Sequence, residues 1–429
     1  MNANPLQISL FAEVAGAYAA SPCGVLDNDA LYATVAAHIG ASPEAMDARA
    51  PIGRAGVPRS TVKRRIRWYQ QTLKQLGIIE HVPGERGVWQ LSENAGKYLH
   101  RAANGVTLVA FSTDLGVAIW GSHQDVFRQI NEPIALCISS PPYPLRKARA
   151  YGGPDERQYV DFICGALEPI VRSLIPGGSI VLNVSGDVFE PKKPSRSLYL
   201  ERLVLALNDR LGLSLMDRIP WVNYSKPPAP TYWACVNRVQ LTTAYEPLYW
   251  FTNDPDKVRS DNRRVLEAHT ARHQRLMASG GDGRLATYGD GAYHIRPDSF
   301  GRVTTGKIPR NVIERGHVCS DTAAYRRHAQ ALGMPTHGAM QPTSIPDFFI
   351  RLLTQPDDLV VDPFGGTVKT GLAAERLGRR WLVTEWMLEY LRGAAEMFRG
   401  YAGFGMNGGL SAMRPPSLCT DGLKVDTIV

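Results

Sequence analysis

Leu359-Val360-Val361-Asp362-Pro363-Phe364-Gly365-Gly366 decides how this chain is read, together with a counterpart far upstream, Ile134-Ala135-Leu136-Cys137-Ile138-Ser139-Ser140-Pro141-Pro142-Tyr143. Each opens with a short apolar run, as a buried parallel strand does, and closes in a turn of unusual composition. Open α/β sheets hold their ligands at the carboxyl ends of strands. Two such ends in one chain predict two adjoining sites, one for a substrate and one for a cofactor.

The downstream word, Asp362-Pro363-Phe364-Gly365-Gly366-Thr367, stands between a strand and a helix expected over 370–377. Two glycines let the backbone approach a ligand where a Cβ blocks it. The helix that follows offers free N–H groups to a carboxylate or phosphate. Glu385 ends the next expected strand, 381–385, and lies 23 residues after Asp362. An acidic side chain at that place accepts hydrogen bonds from the ribose hydroxyls of a nucleoside. The word is not a phosphate-binding Walker loop, because Lys369 follows Val368 where that loop requires glycine.

The upstream word reads differently. Two consecutive prolines fix φ twice and remove two N–H donors. What remains at Ser140-Pro141-Pro142-Tyr143 is a rigid edge of carbonyl acceptors, a hydroxyl and an aromatic face. That set suits a flat base with an exocyclic amino group. The carbonyls and Ser140 accept the amino protons, and Tyr143 stacks on the ring. Pulling those protons out of the ring plane localises the nitrogen lone pair for attack, the kind of oriented polar stabilisation typically worth about 3 kcal/mol or more.

Outward from these words, 429 residues predict two or three domains. A hydrophobic content of 44% with 21% charged residues is that of a globular protein. The net charge of +8 favours a polyanionic partner, though modestly. No basic, apolar leader opens the chain and no run of about 18 apolar residues occurs, so neither a signal peptide nor a membrane partner is expected. Six scattered cysteines without a CxxC pair fit a reducing cytoplasm and predict neither a metal site nor a disulfide framework.

Residues 1–104 read as a small helical unit with a hairpin. Val62, Ile66, Tyr69, Leu73 and Leu76 make one apolar helix stripe, with Gly77 as its C-cap. Strands at 78–82 and 88–91 flank the turn residues 83–87. A helix followed by a hairpin resembles a winged helix, which presents its helix to the major groove. Lys63, Arg64 and Arg67 are then DNA contacts, or else they solvate an exposed helix face of a protein-binding module. Residues 105–251 alternate β and α: a helix over 158–174, a break at Pro176-Gly177-Gly178, a strand over 179–184, an αβ passage over 203–223 and a strand over 245–251. Residues 252–333 are rich in Arg, Gly and Asp. They read as either a solvated insertion or a nucleic-acid-reading segment, and their place between two halves of a sheet favours the second, with Arg263, Arg264, Arg302, Lys307 and Arg310 as DNA-binding candidates. The α/β pattern resumes over 334–400, and the Gly-rich tail 401–429 reads as loosely ordered.

The two words together resemble those of the amino-group DNA methyltransferases. In that family Ser-Pro-Pro-Tyr marks mainly cytosine-N4 enzymes, and Asp/Asn-Pro-Pro-Tyr marks mainly adenine-N6 enzymes. The Asp-Pro-Phe-x-Gly word is its S-adenosyl-L-methionine motif. Here the Ser-Pro-Pro-Tyr word precedes the cofactor word with a basic segment between them, as in the circularly permuted β group, whose target-recognition region lies in that gap; the resemblance thus implies a target-recognition insertion over 252–333. The resemblance covers about residues 110–395. Pro176 to Asp187 resembles the strand and loop after the catalytic word, and Tyr245 to Phe251 the strand beside the pocket for the flipped base. His337 to Pro346 resembles the segment holding the methionine end of the cofactor, with Thr343 and Ser344 as implied contacts.

The resemblance implies a Rossmann-like α/β sheet, permuted, beside an N-terminal winged-helix-like α+β domain. It implies site-specific methylation of a flipped cytosine at N4 in double-stranded DNA, with Ser140, Pro141, Pro142 and Tyr143 catalytic. It implies S-adenosyl-L-methionine held by Asp362, Pro363, Phe364, Gly365, Gly366, Thr367 and Glu385. A cognate restriction endonuclease and a homodimer stay open. So do adenine-N6 methylation, methylation of a protein glutamine or RNA, and a non-catalytic winged-helix DNA-binding regulator with a degenerate methylase fold. The usual Ser-Gly-Thr-Thr reads Thr367-Val368-Lys369-Thr370 here, and Val368 is expected to narrow the room beside the cofactor. The Pro22-Cys23 pair is far in sequence from both words, which disfavours cytosine-C5 chemistry through a thiol.

Overall fold

The computed structural model describes residues 13–407 apart from 15, 19–20, 22–23, 53–56, 76–78, 92–100, 103–104, 145–152, 225, 227 and 290. Pro22-Cys23, Leu76 and Gly77 therefore lie outside the described residues. In the N-terminal unit the helix Thr61–Gln75 buries Ile66, Tyr69 and Leu73, the expected stripe. Strands β1 (Val25–Leu26), β2 (Arg49–Ile52), β3 (Val57–Ser60), β4 (Ile79–His81) and β5 (Trp89–Leu91) surround it. The predicted hairpin is β4–β5, and β1 joins its open side to give a three-stranded sheet. Leu31 and Val35 of the helix Asn28–Ile39 complete this core.

The remainder is built on one sheet. Its strands are β6 (Leu108–Ser112), β7 (Gly116–Trp120), β8 (Ile134–Ser139), β9 (Leu174–Asn183), β10 (Ser214–Val222) and β11 (Tyr245–Thr252). A detached hairpin, β12 (Ala286–Tyr288) and β13 (Tyr293–Ile295), comes next, and then β14 (Ile313–Glu314), β15 (Leu359–Asp362), β16 (Arg380–Glu385) and β17 (Gly405–Met406). The ten strands of the large sheet run β14-β10-β11-β9-β8-β15-β16-β7-β6-β17. Strands β9, β8, β15, β16 and β7 are mutually parallel, and antiparallel strands flank them.

From β8 the chain crosses through the helix Tyr159–Ser173 to β9 on one side. From β15 it crosses through the helix Lys369–Arg376 to β16 on the other. The β8/β15 boundary is thus a topological switch point, where such sheets open a crevice for ligands. Leu136, Ile138 and Val360 face one core with Phe349, Leu372 and Trp381. Cys137 and Val361 face the other, beneath Ile163, Leu167, Leu203 and Leu207. Burial on both faces explains the uninterrupted apolar runs.

Three expectations are corrected. Strand β9 begins at Leu174, so Pro176-Gly177-Gly178 is a bulge inside it rather than a break. Its register against β8 slips between Ile134↔Leu174 and Leu136↔Ser179 and absorbs the extra residues. The helix Ser320–Ala331, placed in the insertion by its sequence, packs Tyr325 against Gly393 of the helix Leu388–Ala395. The start of the tail is ordered, since β17 pairs with β6 and Phe404 joins the core; residues 408–429 lie outside the described ones.

Candidate active site

Strands β8 and β15 are direct neighbours, with Leu136 opposite Val360 and Cys137 opposite Val361, so the two words emerge side by side. Asp362 ties them together. Its Oδ1 accepts from Ser139 Oγ at 2.5 Å and from the Phe364 N–H at 3.0 Å, and its Oδ2 accepts from Thr370 Oγ1 at 2.7 Å. Burial raises the Asp362 pKa, and these three donors oppose the rise. The carboxylate joins both strand ends to the start of a helix.

A cavity of about 500 Å³ opens over this junction. Ser140 to Tyr143 line one side; Asp362 to Thr367 and Glu385 line the other. A Cβ on Gly365 would stand 1.9 Å from Val383 Cγ1, so only glycine brings this turn so close to β16. Gly366 has φ of 51°, which glycine adopts without strain, and its N–H donates to Glu385 Oε2 at 2.8 Å. The Met387 N–H donates to Glu385 Oε1 at 2.8 Å. Burial lifts the Glu385 pKa to about 7 despite these two donors. Trp386 and His337 to Gln341 also border the cavity.

Two expectations about the cofactor side change. Val368 takes a left-handed φ of 56°, which turns its side chain into the core against Gly371 and Trp381, so it does not narrow the cavity. Thr343 and Ser344 do not line the cavity. Thr343 is buried with its Oγ1 3.9 Å from Cys319 Sγ, and Ser344 opens the helix Ser344–Leu353. The reach of that segment is instead made by His337 to Gln341. Lys369 borders the cavity but turns its Nζ to Thr322 Oγ1 at 2.8 Å.

On the chemistry side Ser140 Oγ lies 3.1 Å from Tyr143 Oη. Tyr143 donates to Glu246 Oε2 at 3.4 Å, where Asn183 Nδ2 also donates at 3.5 Å. Lys226 Nζ bridges Glu246 Oε1 at 3.3 Å and Asp187 Oδ2 at 3.1 Å. Burial, reinforced by the charge of Glu246, raises the Tyr143 pKa well above its ordinary value, so the phenol stays a neutral donor. Asn183, Asp187, Lys226 and Glu246 were not singled out from the sequence. For Asn183, Asp187 and Glu246 the signal lay inside the stretches 176–187 and 245–251, whose resemblance to the family names no single residue; Lys226 stands outside both and carries no such signal. His123 was missed too. It is buried in the cavity wall beside Phe364, its Nδ1 has no hydrogen-bond partner among the described residues, and burial lowers its pKa to about 4.

The basic candidates divide. Arg64, Arg302 and Arg310 are exposed. Lys63 pairs with Asp47 at 2.6 Å, Lys307 with Glu267 at 2.9 Å, and Arg263 with Asp261 at 2.8 Å. Arg67 donates to Asn28 Oδ1. Arg264 is a structural group rather than a free DNA contact: it donates to the backbone oxygens of Thr354 at 2.6 Å and Arg259 at 3.0 Å. Among the described residues no cluster of three His, Cys, Asp or Glu has metal-binding geometry, and no helix is long and apolar enough to cross a membrane.

Residues 134–396, more than half of the chain, match the family model described as DNA methylase. The chain belongs to the DNA methylase family. Residues 17–101 match the Mrr N-terminal domain. The type II methyltransferase M.PvuII of Proteus hauseri is 32% identical over 291 residues, 68% of this chain and 85% of that protein. M.BamHI of Bacillus amyloliquefaciens is 24% identical over 63% of this chain and 55% of its own length. The solved PvuII DNA methyltransferase, described as cytosine-N4-specific, is 28% identical with a TM-score of 0.54, over 72% of this chain and 95% of that one.

The methylase takes S-adenosyl-L-methionine as its cofactor. The residues present fit that group. The glycine turn admits close backbone approach, Glu385 is held in place by two backbone donors, and the unpartnered Nδ1 of His123 lies in the wall beside Phe364.

Proposed function

We propose that this methylase modifies the N4 amine of a cytosine flipped out of double-stranded DNA, as the modifying member of a restriction-modification system with a cognate endonuclease. The observation that carries the reading is the seating of Ser140 and Tyr143, hydroxyls 3.1 Å apart, just past the end of the strand that neighbours the one leading into the glycine turn. The PvuII enzyme, whose described specificity is cytosine N4, supports the choice of base.

When bound, S-adenosyl-L-methionine supplies an electrophilic methyl group on a sulfonium. The chain's own residues prepare the acceptor. Ser140 Oγ and the carbonyls of the two prolines accept the amino protons and localise the nitrogen lone pair. Tyr143, braced by Glu246, packs on the ring. The Gly365-Gly366 turn and Glu385 hold the donor across the β8/β15 boundary, and no covalent enzyme intermediate is needed. A paired and stacked cytosine cannot reach this edge, so the base leaves the duplex at a cost of a few kcal/mol. The N-terminal unit, read as winged-helix-like, adds DNA contacts through the exposed face that carries Arg64.

The test is to pass plasmid DNA through the enzyme with cofactor, digest it to nucleosides and identify the product by mass spectrometry. N4-methylcytosine is expected, and its loss in Ser140→Ala. N6-methyladenine in its place would overturn the assignment of the base, and no methylated nucleoside would overturn catalysis.

A further inference from the structure

Between β10 and β11 the chain makes a long excursion, residues 224–244, of which 224, 226 and 228–244 are described, and its ends are clamped where Val222 pairs with Tyr245. It is braced rather than loose. The Thr243 N–H donates to Ala229 O at 2.8 Å and the Val239 N–H to Trp233 O at 2.9 Å. Gln240 Nε2 donates to Pro194 O at 2.9 Å, and Thr243 Oγ1 donates to Asp187 Oδ1 at 2.5 Å. Yet its crest is apolar and open to solvent: Tyr232 is 58% exposed, Val236 63%, Val239 59% and Leu241 87%. A rigid element that displays such a patch is built for a partner.

Two observations say which partner. The bracing ends on Asp187, which lines the base-side cavity together with Lys226 of the loop itself, so crest and cavity are held at a fixed separation. The crest is also flanked by exposed positive charge, from Arg238 within the loop and from Lys192 shortly before Pro194, whereas the neighbouring Lys193 pairs with Glu190 at 3.7 Å. A second copy of this chain would set those charges against themselves, whereas a phosphate backbone complements them. Extraction of a base leaves an apolar gap in the stack, and apolar wedges fill such gaps in bent or opened duplexes.

We infer that the 224–244 loop enters the DNA duplex at the target step, and that Val239 and Leu241 occupy the space left by the flipped base while Arg238 and Lys192 hold the flanking phosphates. The loop is a positioning device. It keeps the duplex open and never touches the reacting amine. This rests on the base-flipping reading above, and wild-type methylation of the paired duplex is the control that tests that reading separately.

The experiment uses the full chain, the Val239→Ser/Leu241→Ser variant and two oligonucleotide duplexes carrying the site mapped from plasmid. One duplex is fully paired, and the other is mismatched at the target pair. Both substitutions are on the surface, and calorimetry with S-adenosyl-L-methionine verifies that the cofactor site is intact. On the paired duplex kcat/KM is expected to fall about tenfold or more, equivalent to about 1.4 kcal/mol. On the mismatched duplex, already unpaired, the variant is expected within about twofold of wild type. An equal loss on both duplexes, or no loss on either, overturns the inference. So does sedimentation in which wild type is a dimer and the variant a monomer with unchanged kinetics, since the crest then covers a second copy.

Discussion

Ser139 Oγ donates to Asp362 Oδ1 at 2.5 Å, across 223 residues of sequence, and so binds the residue before the catalytic word to the first residue of the cofactor word. Both groups are buried, and Asp362 has two other donors. Removing a donor from a buried carboxylate costs about 2 kcal/mol, because the charge has no water to replace it. Ser139→Ala is therefore expected to lower the melting temperature and to reduce methyl transfer, although Ser139 is outside the word that orients the base. A double cycle with Asp362→Asn should be non-additive, because both changes break one bond. Thermal melts and single-turnover rates on the four proteins check this.

Glu385 gives a pH signature. Its folded-state pKa of about 7 stands above the ordinary 4.5 because the carboxyl is buried. Its contribution to stability is therefore full below about 4.5 and is lost as pH rises through about 7. Cofactor binding has the opposite sign, since ribose hydroxyls donate to the carboxylate and not to the acid. Affinity for S-adenosyl-L-methionine should rise with pH, by up to about tenfold per unit while the carboxyl is protonated, and level off above the pKa. The cofactor's own amine titrates nearby, so the measurement is the calorimetric difference from Glu385→Gln, in which this slope disappears.

The strand ends, their order and the acid on β16 were legible because each depends on neighbours in sequence. An apolar run, a proline pair, a glycine pair and a terminal Glu385 state their conformations locally. What pairs at a distance was not. Glu246, Lys226 and Asp187 converge only because β11 lies beside β9 and the 224–244 loop folds back over both. Val368 misled because a left-handed backbone sends its side chain opposite to the expected way. Arg264 misled because a guanidinium satisfies helix-end carbonyls as readily as phosphates, and composition cannot separate the two uses.

The end of the N-terminal unit reaches the cofactor wall. The Arg101 guanidinium stacks 3.7 Å from the centre of the Trp386 ring, and the Ala102 N–H donates to Trp386 O at 2.8 Å. Trp386 borders the cavity beside Glu385. An exposed cation–π contact is worth about 0.5–1 kcal/mol. Arg101→Ala is accordingly expected to weaken S-adenosyl-L-methionine binding by about twofold to fivefold with little change in melting temperature. Calorimetric titration reads the effect directly, and a Kd equal to wild type would place Arg101 outside cofactor binding.

The arginines of the insertion should separate by task. Arg264 donates to the oxygens of Thr354 and Arg259 beside the helix Ser344–Leu353, and Arg379 Nη2 shares Thr354 O at 3.1 Å, so Arg264→Ala removes the side-chain donor of the Arg259 carbonyl and weakens the Thr354 cap, at a cost of about 1 kcal/mol of stability. Arg302 and Arg310 are exposed and make no ion pair among the described residues. Their removal should leave the melting temperature in place. If each meets a phosphate, each substitution to Ala should weaken DNA binding and reduce the slope of log affinity against log salt by about 0.9, because one fewer counterion is released. Melting curves and DNA binding across a salt series on the three variants check the division. A salt slope unchanged in both Arg302→Ala and Arg310→Ala would move the phosphate contacts elsewhere, to the loop that carries Arg238 or the helix that carries Arg64.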